Sequence, residues 1–257
     1  MKKVVKYVLL ALAAIVVAVV IIWLPEIRTA AGVEQVGLNK YLYKMDYKAT
    51  YDIDKVMAAN IDENKKLVGF IVEQLSKGLV KQAPEGTGEV GNVPDPQDLE
   101  KAACTSFQAA LEGGGFVVGR NYDYFKNPSL VLHSHPKTGY ASLSTVDLSH
   151  LGYNLDKLPN SLARKALCLA SVYAPMDGIN ERGLCISIMA LPKQAAYQNT
   201  GKNVVGTSIY MRLILDRCAT VEEAIALTES LDIRHDQKAG SGYHYFIADA
   251  EGHAVVV

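Results

Sequence analysis

Tyr7 to Leu24 reads YVLLALAAIVVAVVIIWL, an uncharged run of 18 residues, and no other stretch restricts the chain so strongly. As a helix rising about 1.5 Å per residue it reaches roughly 27 Å, close to the hydrocarbon thickness of a bilayer. A terminal helix that is apolar all round has no polar face to turn toward water, so a place in a soluble core accounts for it poorly. Lys2, Lys3 and Lys6 flank its N-terminal side, which keeps that end cytoplasmic and sends the remainder outward. Residues 1–24 are therefore expected to be a signal anchor or a signal peptide. The run is longer than a typical signal-peptide core, Trp23, Leu24 and Pro25 make a bulky exit, and the small residues Thr29 to Ala31 come late. A single-pass anchor in the cell membrane, with the rest extracytoplasmic, is preferred over cleavage and secretion. No cysteine lies nearby to carry a lipid.

The rest of the 257 residues is long enough to close a sizeable core. Lys+Arg 26 against Asp+Glu 27 leaves a formal charge of -1, and without a basic excess no nucleic-acid partner is expected. Gly 20 and Pro 9 lie near ordinary usage, which excludes a collagenous or wholly disordered chain. Among the cysteines, Cys168, Cys185 and Cys218 fall in apolar helix or strand patterns where a packed thiol is the ordinary reading, so no disulfide framework is expected. The sequence has no CxxC and no HExxH, and the histidines at 133, 135, 150, 235, 244 and 253 show no repeated ligand spacing. No metal or other cofactor is expected, and His133, His135, His235 and His244 read as surface or strand residues.

Three regions follow from the pattern. Glu26 to Thr50 is mixed; Asp52 to Leu79 carries apolar residues at helical spacing, interrupted at Asn60 to Lys65, and predicts two helices or one bent one. Residues 81–100, KQAPEGTGEVGNVPDPQDLE, combine Pro, Gly and acidic residues with almost no large apolar side chain, the composition of a linker. Residues 25–103 are thus expected to be a helical propeptide or stalk. From Cys104 the character changes. A hairpin is predicted from Cys104 to Gly119 around Glu112 to Gly115, with further strands at Leu130 to His133, Tyr140 to Val146 and Leu184 to Met189, the last after a turn at Asp177 to Gly183. Helices are predicted at Ser161 to Ala170, Ser208 to Cys218 and from the Thr220/Glu223 capping pair through Leu227, and a closing hairpin at Tyr243 to Val257. Strands at both ends with helices between predict an α+β layered domain over 104–257. The chain stops inside an apolar strand, and the catalytic domain is expected to continue beyond Val257.

The chemistry gathers at Ala103-Cys104-Thr-Ser-Phe107 and Gly119-Arg120-Asn121-Tyr122-Asp123. Across a hairpin, the start of the first strand meets the end of the second, so Cys104 can lie beside Arg120 and Asp123. A guanidinium favours the thiolate, and a carboxylate can orient an amine. If Cys104 became the first residue of a processed chain, its α-amine could accept and return the thiol proton, and no histidine partner would be needed. On these residues alone, a packed thiol and an ordinary strand-end ion pair explain the pattern as well.

From Cys104 onward the sequence resembles the choloylglycine hydrolase family of N-terminal-nucleophile (Ntn) amide hydrolases, which includes bile salt hydrolases, penicillin V acylases and, more distantly, acid ceramidase-like amidases. Two motifs carry the resemblance: GRNYD at Gly119 to Asp123, at the family's spacing from Cys104, and Asn180-Glu-Arg-Gly-Leu184, similar to the family's NExGL. The resemblance implies a four-layer αββα sandwich, with only its N-terminal half in this chain. It implies Cys104 as nucleophile and, through its freed amine, acid/base; Arg120 as stabiliser of thiolate and transition-state charge; and Asp123 as the anchor of the amine. Tyr122 and Ala190 would contribute to the substrate and oxyanion surroundings. The family usually has Asn or Tyr where this chain has Ala190, which leaves only a backbone N–H there and argues against a bile-salt substrate. The implied reaction is hydrolysis of a linear amide in an N-acylated small molecule through an acyl-thioester. Residues Lys40 to Lys101 would then be a propeptide cut off at Ala103/Cys104 and able to stay associated, with a second copy of the chain as another partner. Interception of the thioester by an amine, making an acyltransferase, and a membrane-anchored binding module on the same fold are the alternatives.

Overall fold

The computed structural model describes residues 2–81, 103–192, 196–235 and 241–257. The expected linker lies outside the described residues except for Lys81.

Helix α1 (Lys2–Ile22) is long and apolar enough to cross a membrane, none of its span Val5–Ile22 is buried in the protein, and a signal segment would meet the same description. Trp23, with φ -100°, separates it from α2 (Leu24–Ala31), which carries Pro25 in its first turn, where no backbone N–H is needed. α2 is held to the body of the protein. Trp23 Nε1 donates to Leu75 O at 2.9 Å, Glu26 pairs with Lys77 at 2.5 Å, and the buried Thr29 hydroxyl accepts from the backbone N–H groups of Lys48 and Ala49.

The region expected to be helical also contains strands. β1 (Glu34–Gln35) and β2 (Leu42–Tyr47) precede α3 (Ile53–Ala58) and α4 (Asn64–Leu75). The two helices are the pair predicted from the interrupted periodicity, parted at Asn60, whose φ is 49°. In β2 the buried residues are Tyr43, Met45 and Tyr47, a strict alternation in LYKMDY that identifies a strand with one face in a core. From Ala103 come β3 (Ala103–Ala110), β4 (Phe116–Asp123), β5 (Ser129–Ser134), β6 (Ser142–Asp147), a 3-10 turn (Leu148–Leu151), α5 (Leu162–Lys165), a 3-10 segment (Ala166–Tyr173), β7 (Asp177–Asn180) and β8 (Cys185–Pro192). After these follow β9 (Asn203–Gly206), α6 (Thr207–Arg217), α7 (Val221–Glu229), β10 (Leu231–Arg234), β11 (Ser241–Ala248) and β12 (Ala254–Val256). The architecture is mixed α+β.

The large sheet runs β1-β2-β5-β6-β7-β8-β11-β12 among the described residues. β2 pairs with β5 in parallel, and its other ladders are antiparallel. One face carries Met45, Leu130, Leu132, Val146, Ile186, Ile188, Tyr245 and Ile247, all buried, and packs under α6 and the 3-10 segment 166–173. α6 is buried nearly throughout, down to Arg212, whose guanidinium pairs with Asp216 at 2.7 Å and donates to Ser142 Oγ at 2.6 Å. Tyr51 donates to the same Asp216 oxygen at 3.0 Å, so α6 is tied both to β6 and to the N-terminal region. A ring cluster continues this seam through Tyr47, Tyr51, Tyr173 and Phe70, with centroids about 6 Å apart. β3 and β4 form a separate two-stranded hairpin on the opposite face of the sheet, against β8, and β9 and β10 form a small parallel pair.

One expected turn is partly a strand. Asp177 to Asn180 pairs with both β6 and β8, and the turn is confined to Glu181, Arg182 and Gly183. Gly178 permits this, because a Cβ there would come within 2.8 Å of Leu143 O and of Leu215 on α6.

Candidate active site

The β3–β4 ladder pairs Ala103 with Asp123, Cys104 with Tyr122, and Ser106 with Arg120. Side chains alternate across a ladder, so Cys104, Ser106, Arg120 and Tyr122 share the face turned to the large sheet, and Asp123 shares the outer face with Asn121. The burial follows this division: 104, 106, 120 and 122 are half-buried, and 121 and 123 are exposed. Cys104, Arg120 and Tyr122 are thereby brought to one surface. The Asp123 carboxylate accepts from Asn121 Nδ2 at 3.0 Å and stands beside Ala103, across from the backbone immediately before the nucleophile candidate.

Hydrophilic contacts fix the hairpin to the sheet. The Ser106 and Ser187 hydroxyls are 2.7 Å apart, and Gln108 Nε2 donates to Asp249 O at 2.9 Å. Arg120 makes the longest reach. Nη2 donates to Ile188 O at 2.5 Å, Nε faces Asp177 Oδ2 at 3.3 Å, and the guanidinium lies 4.8 Å over the Tyr122 ring. Its side chain is only 9% exposed, and Nη1 is buried with no hydrogen-bond partner among the described residues. Asp177 also accepts from Thr145 Oγ1 at 2.6 Å. Tyr122 in turn donates to Asp147 at 3.2 Å, and burial, reinforced by that carboxylate, pushes its phenol well above the ordinary range, so it acts as a donor. Tyr124 and Phe125 extend the aromatic surface, with the rings of Tyr122 and Tyr124 5.5 Å apart and those of Tyr124 and Phe125 4.7 Å apart.

Ala190 lies two residues past Ile188 on β8, opposite Tyr243. Ile188 N–H donates to Met176 O, toward the β7 side. In an antiparallel strand residues two apart point their N–H groups the same way. Ala190 N–H therefore faces that side as well, beyond the last β7–β8 pair at Asp177 and Ser187.

The second motif has a structural task. Asn180 is buried, its Nδ2 donates to Leu215 O and Cys218 O at 3.0 and 2.7 Å, and its Oδ1 accepts from the N–H groups of Arg182 and Leu184. Glu181 accepts from Ala141 N–H, and Gly183, at φ 83°, packs so closely on Ala250 that a Cβ would come within 2.9 Å of it. The motif stitches the β7–β8 turn to the end of α6 and so sets the strand that carries Ile188 and Ala190.

Asp177, Ser187 and Asp147 belong to this site and are absent from the motifs. Asp177 was hidden inside a turn-like segment; the Asp-Gly start of DGINERG gives no sign that a carboxylate will meet an arginine from another hairpin. Between hairpin and sheet lies a cavity of about 700 Å³, lined among others by Arg120, Asp177, Leu143, Ile179, Cys185 and Phe246. A smaller apolar recess of about 140 Å³ under α4 is lined by Leu67, Ile71, Met176, Ile188 and Tyr243.

The sequence pattern described as linear amide C-N hydrolases, choloylglycine hydrolase family, matches residues 104–257. Among solved structures, similarity extends to a penicillin V acylase from Agrobacterium tumefaciens, at 18% identity, TM-score 0.32, 61% coverage of this chain and 38% of that one. It extends also to an arginine-to-leucine variant of a conjugated bile acid hydrolase from Clostridium perfringens, at 16% identity, TM-score 0.32, 61% coverage of this chain and 39% of that one. The chain thus spans less than half the length of either. No curated protein matches it.

Proposed function

Because the chain belongs to the linear amide C-N hydrolases of the choloylglycine hydrolase family, we propose that it is an amidase acting through Cys104 as an N-terminal nucleophile. Cleavage of the Ala103–Cys104 peptide bond frees the α-amine. That amine takes the thiol proton, the sulfur attacks the carbonyl carbon of a linear amide, and the proton passes to the nitrogen as the C–N bond breaks. Water, deprotonated by the same amine, then attacks the thioester and releases the acid and the thiol. The observation that carries this reading is the β3–β4 register, which sets Cys104 on one face with Arg120 and Tyr122 and sets Asp123 opposite Ala103. Arg120 stabilises the thiolate and developing charge, and its buried, unpartnered Nη1 is a donor held ready for that purpose. Asp123 holds the α-ammonium, and Ala190 N–H, pointing past the end of β7, is the backbone donor to the oxyanion.

The acyl part of the substrate is apolar. Tyr122, Tyr124, Phe125 and the recess beside Ile188 and Tyr243 offer aromatic and aliphatic contact, and an N-acyl amino acid or fatty acyl amide suits this surface better than a conjugated bile acid. The helix layer, the large sheet and the hairpin on its other face fit three layers of an αββα sandwich. Helix α1 is read as a retained anchor, supported by the contacts that Trp23, Glu26 and Thr29 make with the body of the protein.

Intact-mass measurement of the full reading frame, beside Cys104→Ala, tests the proposal. A fragment beginning at Cys104 in the wild type and missing in the variant is expected. A chain uncleaved in both overturns self-activation and leaves a non-catalytic, membrane-anchored module. Given cleavage, release of free amine from a panel of N-acyl amino acids separates hydrolysis from acyl transfer to an added amine.

A further inference from the structure

Asp46, His133 and His135 meet on the face of the large sheet turned away from the helices. The ladder brings the first two there, Asp46 of β2 opposite His133 of β5 on one face, and His135, just past the end of β5, sets its ring 3.9 Å from that of His133. Met45 and Leu132, their chain neighbours, point the other way into the core. His133 Nδ1 and His135 Nε2 are 3.2 Å apart, and Asp46 Oδ1 lies 3.6 Å from the first and 3.5 Å from the second.

Three lone-pair-bearing atoms this close repel one another unless something positive sits among them. Neutral imidazoles can each turn an N–H to Asp46 Oδ1, but the two ring nitrogens then face each other at 3.2 Å with no bridge between them. A first-row metal ion bonded at about 2.0–2.1 Å in a tetrahedral arrangement holds neighbouring ligand atoms about 3.3 Å apart, and all three observed separations fall close to that edge. We propose that Asp46, His133 and His135 form a divalent metal site of the zinc class. Two imidazoles and one carboxylate suit Zn²⁺ and its neighbours in the transition series, whereas Ca²⁺ and Mg²⁺ prefer oxygen donors throughout. The side chains are about half exposed, at 52% for Asp46, 45% for His133 and 51% for His135, so a hydrated ion reaches them and the fourth vertex stays open to water. Lys48 Nζ stands 4.0 Å from the other Asp46 oxygen and leaves Oδ1 to the ion. β6 and β7 separate this cluster from β8, where the Cys104 hairpin meets the sheet, and the assignment stands whether or not the amidase reading does.

The full chain, purified in detergent without a histidine tag and stripped with chelator, is titrated with ZnCl₂ by calorimetry. The expected result is one Zn²⁺ per chain with micromolar affinity, and with Co²⁺ a visible absorption band of tetrahedral intensity that Zn²⁺ abolishes. The double variant His133→Ala/His135→Ala, and separately Asp46→Asn, should weaken Zn²⁺ binding at least tenfold. His253→Ala, which removes the imidazole beside Asp249 and Glu251, should leave it unchanged. If the double variant melts differently from wild type in metal-free buffer, His135→Gln, altering a residue outside the strand, takes its place. Absence of saturable Zn²⁺ binding in the wild type, or binding equal in wild type and ligand variants, overturns the assignment.

Discussion

Arg120 reaches from the hairpin to a carbonyl of the neighbouring sheet, stacks on Tyr122 and faces Asp177, so three strands, β4, β7 and β8, determine where one guanidinium sits. Lysine could supply the charge there but not the planar fork that serves a carbonyl, a carboxylate and a ring together. The thiols divide as clearly. Burial pushes Cys168 and Cys185 up to about 11 and Cys218 up to about 12, so at pH 8 only about one in a thousand of these groups, or fewer, is a thiolate. Cys104 is half-buried at the start of its strand, beside a cation-bearing face. Brief treatment of the folded protein with iodoacetamide at pH 8 should therefore modify Cys104 before the other three, as read by peptide mass mapping; equal labelling of Cys185 would mean that the hairpin does not stand over the sheet as described. That Cys104 shares a face with Arg120 was legible from a local motif, because a tight hairpin turns sequence spacing into spatial adjacency; the place beside Cys104 expected for Asp123 is taken by Tyr122, and the Asp123 side chain lies on the outer face. Asp177 was not legible, because its meeting with Arg120 depends on two strands from different sheets.

Among the elements, β7 and β8 depend on one side chain. Asn180 satisfies two carbonyls at the end of α6 and two N–H groups in its own turn, all from a buried position. Asn180→Ala leaves buried polar groups unpaired and should destabilise the fold by about 3 kcal/mol, measurable as a lower urea midpoint at unchanged slope. A much smaller loss would show that water replaces the amide there. The capping pair also differs in detail from its sequence signature. Thr220 Oγ1 accepts from Glu223 N–H at 3.2 Å, as expected, but Glu223 returns to Ala219 N–H rather than to the cap residue itself. Long periodic elements such as α4, α6 and β11 were readable to within a few residues. β7 and the β9–β10 pair were not, since four-residue strands carry too few alternations to outweigh the glycines and polar residues around them.

At the scale of the whole molecule, residues up to Lys81 share a core with those from Ala103 on. β2 supplies Tyr43, Met45 and Tyr47 to the large sheet, Tyr51 bonds Asp216, and Phe70 packs on Tyr173. Each such buried side chain contributes about 1.5–3 kcal/mol of hydrophobic stabilisation, so separating the two regions would expose a face that neither can cover alone. If the chain is cut before Cys104, the two fragments should co-elute in native size exclusion and part only in denaturant; a soluble, folded fragment from Cys104 on its own would contradict this. By itself the sequence determined the apolar N-terminal helix, the α+β character and the Cys104/GRNYD hairpin, because each is written in neighbouring residues: a run without charges, a period, a turn between two strands. Only the tertiary structure decided that β2 joins the sheet, that Asp177 meets Arg120 and that Asp46 meets His133 and His135. Those meetings rest on parallel pairing and on one sheet layer packing over another, which join residues far apart in the chain and leave no local signal behind.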